Sequence, residues 1–319
     1  MRRALVALAV AAITAAACER LPGASNSTSH VTATLGPKKI GTRVVQLVDA
    51  TRNLEGRRGG TSTNGRPLPT TLYYPANDAG RDAPVNTAGM PYALVVFSHG
   101  LRGTPDDYAP LLQFWAGQGY IVAAPTFPLT NRDADPVVPG DLLNQPADVS
   151  FVISSLIAMS ADTRDPLSGA IDPRRVIAAG HSEGALTTVM LFAQCCVETR
   201  LVGAVIMAGD DIGTQGKAFT APPKPLLYIH GDQDKVVSYE LGQRSYRGAP
   251  EPKAFLTLVG AGHIDPYVRN ATGPFADAVR NATGYFFAYL TGPDANSAHA
   301  GLKNIGGQSG VTTLDDHLR

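Results

Sequence analysis

The chain has 319 residues, 27 Lys+Arg against 27 Asp+Glu, and 44% hydrophobic residues. That is enough apolar material for one sizeable core, and length alone allows one or two domains. A formal net charge of +0 gives no electrostatic argument for a nucleic-acid partner, and no stretch reaches the roughly 18 apolar residues that nominate a membrane-spanning helix.

Met1-Arg2-Arg3 and the following ALVALAVAAITAAA form a basic head and a short apolar run, the pattern of an export signal over residues 1–17. The run ends in Ala15-Ala16-Ala17-Cys18. Small residues before a cysteine resemble the lipobox of bacterial lipoproteins, although Ala15 stands where that motif usually has Leu. The resemblance implies Cys18 as the lipidated first residue of a chain anchored on the outer face of the membrane; ordinary signal cleavage would instead give a secreted protein. Residues 18–40 are polar with Gly, Ser and Pro, which suits a flexible tether.

Eight strand-like runs follow: TRVVQLVD (42–49), LPTTLYYP (68–75), YALVVFS (92–98), GYIVAAP (119–125), RVIAAG (175–180), LVGAVIMAG (201–209), PLLYIHG (225–231) and KAFLTLVG (253–260). The later ones are nearly continuous apolar runs, as in parallel strands covered on both faces. Helix-like segments lie between them at 106–118, 146–161, 184–194 and 275–290. This alternation predicts one α/β domain over 41–292, a mostly parallel eight-stranded sheet with helices on both faces. The first two strands, with no helix between them, read as an antiparallel pair at the sheet edge. The Pro/Asp-rich segment 125–144 is either a site-lining lid or plain connection, and 293–319 reads as a loosely held tail. Cys195 and Cys196, as helix neighbours pointing in different directions, are expected as two buried free thiols. No Cys/His spacing suggests a metal site, and no cofactor is expected.

RVIAAGHSEGALTTVMLFA (175–193) places a serine between two glycines at the junction of an apolar strand and an apolar helix. Gly180-His181-Ser182-Glu183-Gly184 is G-x-S-x-G in the context it requires, a sharp turn that lifts a nucleophilic hydroxyl above the sheet edge. A serine merely capping the helix leaves both glycines unexplained. The hydroxyl needs a base. His30, His299 and His317 lie in the tether and tail, His181 is directed elsewhere by the turn, and His99 and His230 read as loop pins. His263, in LVGAGHID after the last strand, fits the serine–acid–histidine order of folds built on this turn. The acid that fixes its tautomer is Asp232 or Asp234, with Asp210 and Asp211 as weaker candidates. The oxyanion hole is read as the backbone amides of Glu183 and of Leu101 in VVFSHGLRG (95–103).

From Gly41 to Leu290 the chain resembles secreted α/β-hydrolases of the dienelactone-hydrolase and platelet-activating-factor-acetylhydrolase-like group. LPTTLYYPA, VVFSHGLRG, QGYIVAAP, PADVSFVISSL, GHSEG, IHGDQDKVV and GAGHID stand in that group's order. The resemblance implies Asp234 as the acid, beside Ser182, His263, Leu101 and Glu183. Bacterial cutinase-like polyester hydrolases share the layout, usually with GHSMG; Glu183 replaces that Met, and a carboxylate there disfavours long-acyl or polyester substrates. The expected function is a serine hydrolase of short to medium carboxylic esters, acting on a small-molecule or lipid substrate and touching membrane only through its anchor. Its rivals are a polyester or lipid hydrolase, a peptidase or acyltransferase using the same residues, and a non-catalytic surface binding protein.

Overall fold

Residues 39–54, 64–193, 195–211 and 219–319 are described by the computed structural model. The signal, Cys18, His30 and the tether up to residue 38 lie outside the described residues.

In chain order the elements are β1 (Ile40–Asp49), β2 (Arg66–Pro75), β3 (Gly80–Arg81), β4 (Tyr92–Ser98), α1 (Ala109–Gly117), β5 (Tyr120–Pro125), α2 (Gln145–Ala161), β6 (Ile171–His181), α3 (Glu183–Met190), β7 (Leu201–Met207), β8 (Leu226–Gly231), α4 (Tyr239–Gly248), β9 (Lys253–Leu258), α5 (Gly273–Thr291), α6 (Ala295–Gly306) and β10 (Thr312–His317). One sheet runs β10-β9-β8-β7-β6-β4-β5-β2-β1-β3. From β5 to β9 all pairings are parallel, while β2 joins β5, β1 joins β2 and β10 joins β9 antiparallel.

The burial pattern explains this arrangement. Every residue of β4 is buried, and successive side chains leave opposite faces of a strand. Tyr92, Leu94 and Val96 join Val149, Val152 and Ile153 of α2 and Val189 of α3 in one core. Ala93, Val95 and Phe97 join Leu112 and Trp115 of α1 and Val279 and Phe287 of α5 in the other. A hydrogen bond from Trp115 Nε1 to Thr283 Oγ1 at 2.8 Å satisfies the one polar atom of the indole in that second core.

Ten strands replace the expected eight. β3 has only two residues, too short for any sequence pattern. β10 reads TTLDDH, alternately exposed, so it shows no apolar run. It belongs to the segment expected as a loose tail, which instead forms α6 and β10. α6 buries Ala298, Leu302 and Ile305 with Gly301, the i, i+3, i+4, i+7 stripe of an amphipathic helix hidden in a polar composition. His299 on that helix bonds Asp316 of β10 at 2.8 Å.

Two further expectations are corrected. Among the described residues, Pro139–Ala161 is long and apolar enough by composition to cross a bilayer. Its apolar face packs on the sheet and its Asp148 is fully buried against Arg66, so it serves as a core helix. Arg66 reaches Asp148 at 2.7 Å and Asp141 at 2.6 Å, clamping β2 to the turn that enters α2; removing one partner of such a buried cluster leaves charge uncompensated. Second, Cys195 and Cys196 are joined by a disulfide. α3 ends at Met190, so the helical argument for separate thiols does not reach them. They sit on a partly exposed turn rather than in the core.

Candidate active site

β6 ends and α3 begins at Ser182, whose backbone sits at φ 56°, ψ −122°. A non-glycine residue at positive φ is held there against its preference by its surroundings. Those surroundings explain both flanking glycines. A Cβ on Gly180 would overlap the Gly184 carbonyl and the Thr188 hydroxyl, and one on Gly184 would overlap the Ser98 carbonyl. The turn leaves Ser182 Oγ at the C-terminal end of the parallel strands with the first turn of α3 beside it, where the helix dipole favours negative charge.

His263, on the loop after β9, is buried, and its Nε2 lies 2.9 Å from Ser182 Oγ. Its Nδ1 lies 2.7 Å from Asp234 Oδ2. The carboxylate only accepts, so Nδ1 carries the hydrogen and Nε2 is free to accept from the serine. Asp234 Oδ1 takes the Val236 and Val237 amides at 2.8 and 3.0 Å. Burial opposes ionisation of Asp234, but the hydrogen bonds from His230, His263 and the Val236 amide outweigh it and hold the carboxyl well below its usual range.

The alternatives to Asp234 have other partners. Asp232 Oδ1 accepts from the Gly260 amide at 2.7 Å and pins the turn after β9. Asp210 accepts from Arg244 of α4 at 3.0 Å.

Glu183 directly follows Ser182, and among the described residues neither its backbone amide nor that of Leu101 has a hydrogen-bond partner. The loop bearing Leu101 is fixed on both sides. Arg102 sits at φ 60° and donates its amide to Thr130 O at 2.7 Å, and the Gly103 amide donates to Gly100 O at 2.8 Å.

The remaining histidines set this frame. His99 Nδ1 donates to Gly100 O at 2.9 Å and its Nε2 accepts from the Phe127 amide at 3.1 Å. Burial holds that imidazole down at about 4, so it stays neutral. His181 Nε2 donates to the backbone carbonyl of His263 at 2.8 Å. Its Nδ1 therefore accepts, from Tyr108 Oη at 2.9 Å, and that hydroxyl accepts from the Gly100 amide at 3.2 Å. Burial brings His181 down to about 3. His230 Nε2 donates to Val237 O at 3.0 Å and lies 3.3 Å from Asp234 Oδ2. Tyr108, Thr130 and Gln145 are parts of the site that sequence reasoning missed, since an isolated Tyr, Thr or Gln carries no spacing signal.

Glu183 departs from its expected setting. Its side chain is only 9% exposed, neither solvated nor set as a free charge beside the bond. The carboxyl turns toward the 125–144 segment and meets Gln145 and Thr130. Burial pushes it up to about 7, opposed by those two hydrogen bonds and assisted by Asp141.

No protein-family profile matches the chain. It is 26% identical over 206 residues to cutinase est2 of Thermobifida alba, covering 63% of this chain and 59% of that protein. It is 34% identical over 98 residues to acyl-protein thioesterase 1 homolog 1 of Dictyostelium discoideum, covering 29% of this chain and 43% of that protein. The chain thus spans less than two thirds of the length of these curated relatives. A ferulic acid esterase from Streptomyces cinnamoneus has a similar structure, with TM-score 0.62 and 19% identity over 82% of this chain and 92% of that one. The fold is that of the α/β-hydrolases.

Proposed function

We propose that this chain of α/β-hydrolase fold hydrolyses carboxylic esters through an acyl-enzyme on Ser182, with His263 as base and acid, Asp234 as its orienting carboxylate and no cofactor. The observation that carries the reading is the unbroken pair of hydrogen bonds, 2.9 Å from Ser182 to His263 and 2.7 Å from His263 to Asp234. His263 Nε2 takes the Ser182 proton as Oγ bonds the ester carbonyl carbon. The Leu101 and Glu183 amides stabilise the oxyanion. Collapse breaks the carbon–alkoxy bond, and the leaving alcohol takes the proton from His263. Water, deprotonated by the same nitrogen, then attacks the acyl carbon; Ser182 leaves and recovers its proton.

Short to medium acyl chains are the default substrates. The inward turn of Glu183 removes the charge that argued against longer ones. Leu101, Val236 and Ile264, each within two residues of a member of the site, are 43%, 69% and 47% exposed. This apolar rim, with the similarity to a cutinase, supports a polyester or lipid ester as the second reading. The purified protein should hydrolyse p-nitrophenyl acetate and butyrate far faster than the matching anilides. Turnover of anilides or peptides at comparable rates would favour the peptidase reading, and a polyester film or phospholipid ester separates the two ester readings. Failure of a fluorophosphonate to label Ser182 would leave only a binding protein.

The basic-apolar leader and Ala-Ala-Ala-Cys18 further support export and lipid anchoring. Mature protein from the native membrane is expected to begin at a diacylated Cys18; an unmodified N-terminus elsewhere by mass spectrometry refutes the anchor.

A further inference from the structure

An acyl-enzyme mechanism needs its base and its oxyanion donors held at fixed distances from one hydroxyl. Here they come from different strands. Leu101 follows β4, His263 follows β9, and Ser182 stands at the end of β6, which lies between those strands in the sheet. One chain of hydrogen bonds joins the two outer loops. The Gly100 amide donates to Tyr108 Oη at 3.2 Å, Tyr108 Oη to His181 Nδ1 at 2.9 Å, and His181 Nε2 to the His263 carbonyl at 2.8 Å.

The two ends fix the direction of every proton. An amide only donates and a carbonyl only accepts, so the phenol gives its single hydrogen to Nδ1 and the ring hydrogen sits on Nε2. That arrangement leaves no site for a second ring proton, in keeping with a neutral His181. Tyr108, His181 and His263 are all buried, so a broken link leaves polar groups unpaired. Packing holds the rings themselves: Phe97 lies 4.7 Å from Tyr108 and Tyr267 lies 4.6 Å from His181, centroid to centroid.

The chain ends next to the groups that act. Leu101 lies between two anchored amides, Gly100 on Tyr108 and Arg102 on the Thr130 carbonyl at 2.7 Å. A Cβ on Gly100 would stand 3.1 Å from Ser182 Cβ and 3.2 Å from Tyr108 Oη, so this backbone packs against both. At the other end the bond falls on the backbone of His263 itself.

We propose that Tyr108 and His181 are positioning residues, joined in one hydrogen-bond chain that sets the separation of the oxyanion loop and the base loop on either side of Ser182. The inference rests on the ester-hydrolase reading. It gives the histidine of G-x-S-x-G a task that the turn alone does not require.

The test is kcat and KM for p-nitrophenyl acetate, with Tm, in wild type, Tyr108→Phe, His181→Leu, His181→Gln and Ser182→Ala. Tyr108→Phe keeps the ring and deletes the middle link. A base or donor displaced by a fraction of an ångström costs transition-state rather than ground-state binding. Its kcat should therefore fall by roughly tenfold or more with KM nearly unchanged. His181→Leu breaks both ring bonds and should lose about a hundredfold. His181→Gln places an amide N–H near the position of Nε2, where it can still donate to the His263 carbonyl, and should recover roughly five- to tenfold of that loss. A packing role alone would leave the apolar leucine equal to the glutamine or better. The chain is overturned by a folded Tyr108→Phe enzyme with wild-type kcat, by a loss carried in KM, or by His181→Leu matching or exceeding His181→Gln. If Tyr108→Phe does not fold, the two His181 variants decide; if they do not, Tyr108→Phe decides. Undiminished turnover by Ser182→Ala removes the ester-hydrolase reading instead, a result distinct from failure of the chain.

Discussion

Ser182→Ala is expected to lower kcat for p-nitrophenyl butyrate by on the order of 10⁶ while leaving the protein folded. The hydroxyl has one side-chain partner, His263 Nε2 at 2.9 Å, so little structural bonding goes with it. The backbone at φ 56° is fixed by the close packing of Gly180 on Gly184 and of Gly184 on the Ser98 carbonyl, none of which involves the serine side chain. What remains after substitution is substrate binding and the two free amides, which alone retain roughly 10³–10⁴ over water in enzymes of this mechanism. Loss of turnover with an unchanged Tm assigns the nucleophile. Equal turnover by both proteins would remove it and the acyl-enzyme with it.

Much of this site is legible in the sequence because sharp turns demand particular residues. Gly180 and Gly184 are forced by carbonyls a Cβ would strike, and that demand stands in G-x-S-x-G as letters. The parallel strands announce themselves because a strand covered on both faces is apolar at every position, as β4 is. Elements covered on one face are harder to see. α4 buries only Gly242, Ser245 and Tyr246, and α6 hides its stripe among Asn, His and Lys, so neither was expected. The surroundings of Ser182 are illegible for a different reason. Tyr108 meets His181 across 73 positions and Thr187 meets Gln145 across 42; such pairs leave no local period. Glu183 shows the same limit. Its letter suggests a charge at the reacting centre, yet the first turn of α3 directs it inward, and only the fold reveals that direction.

Asp234→Asn is expected to reduce kcat by about 10⁴, whereas Asp232→Asn should leave kcat within a few-fold of wild type. Every approach to the Asp234 carboxylate is made by a donor: Val236 and Val237 amides on Oδ1, His263 Nδ1 and His230 Nε2 on Oδ2. An asparagine must turn its NH₂ toward one of these sets. Facing His263, it forces Nδ1 to accept, so the ring hydrogen moves to Nε2 and points at Ser182, and the base is lost. Facing Val236 and Val237, it opposes two N–H groups and breaks the turn that holds the acid. The first orientation loses the required tautomer, and the second keeps it only by breaking the turn that positions the carboxylate. Asp232 offers a simpler contact, one amide from Gly260 at 2.7 Å, which an asparagine oxygen can still accept. Measuring kcat for the two variants side by side separates the candidates directly. If Asp232→Asn were the damaging change and Asp234→Asn were mild, the acid would be misassigned, and the 2.7 Å contact to His263 would be a structural hydrogen bond without a part in the reaction.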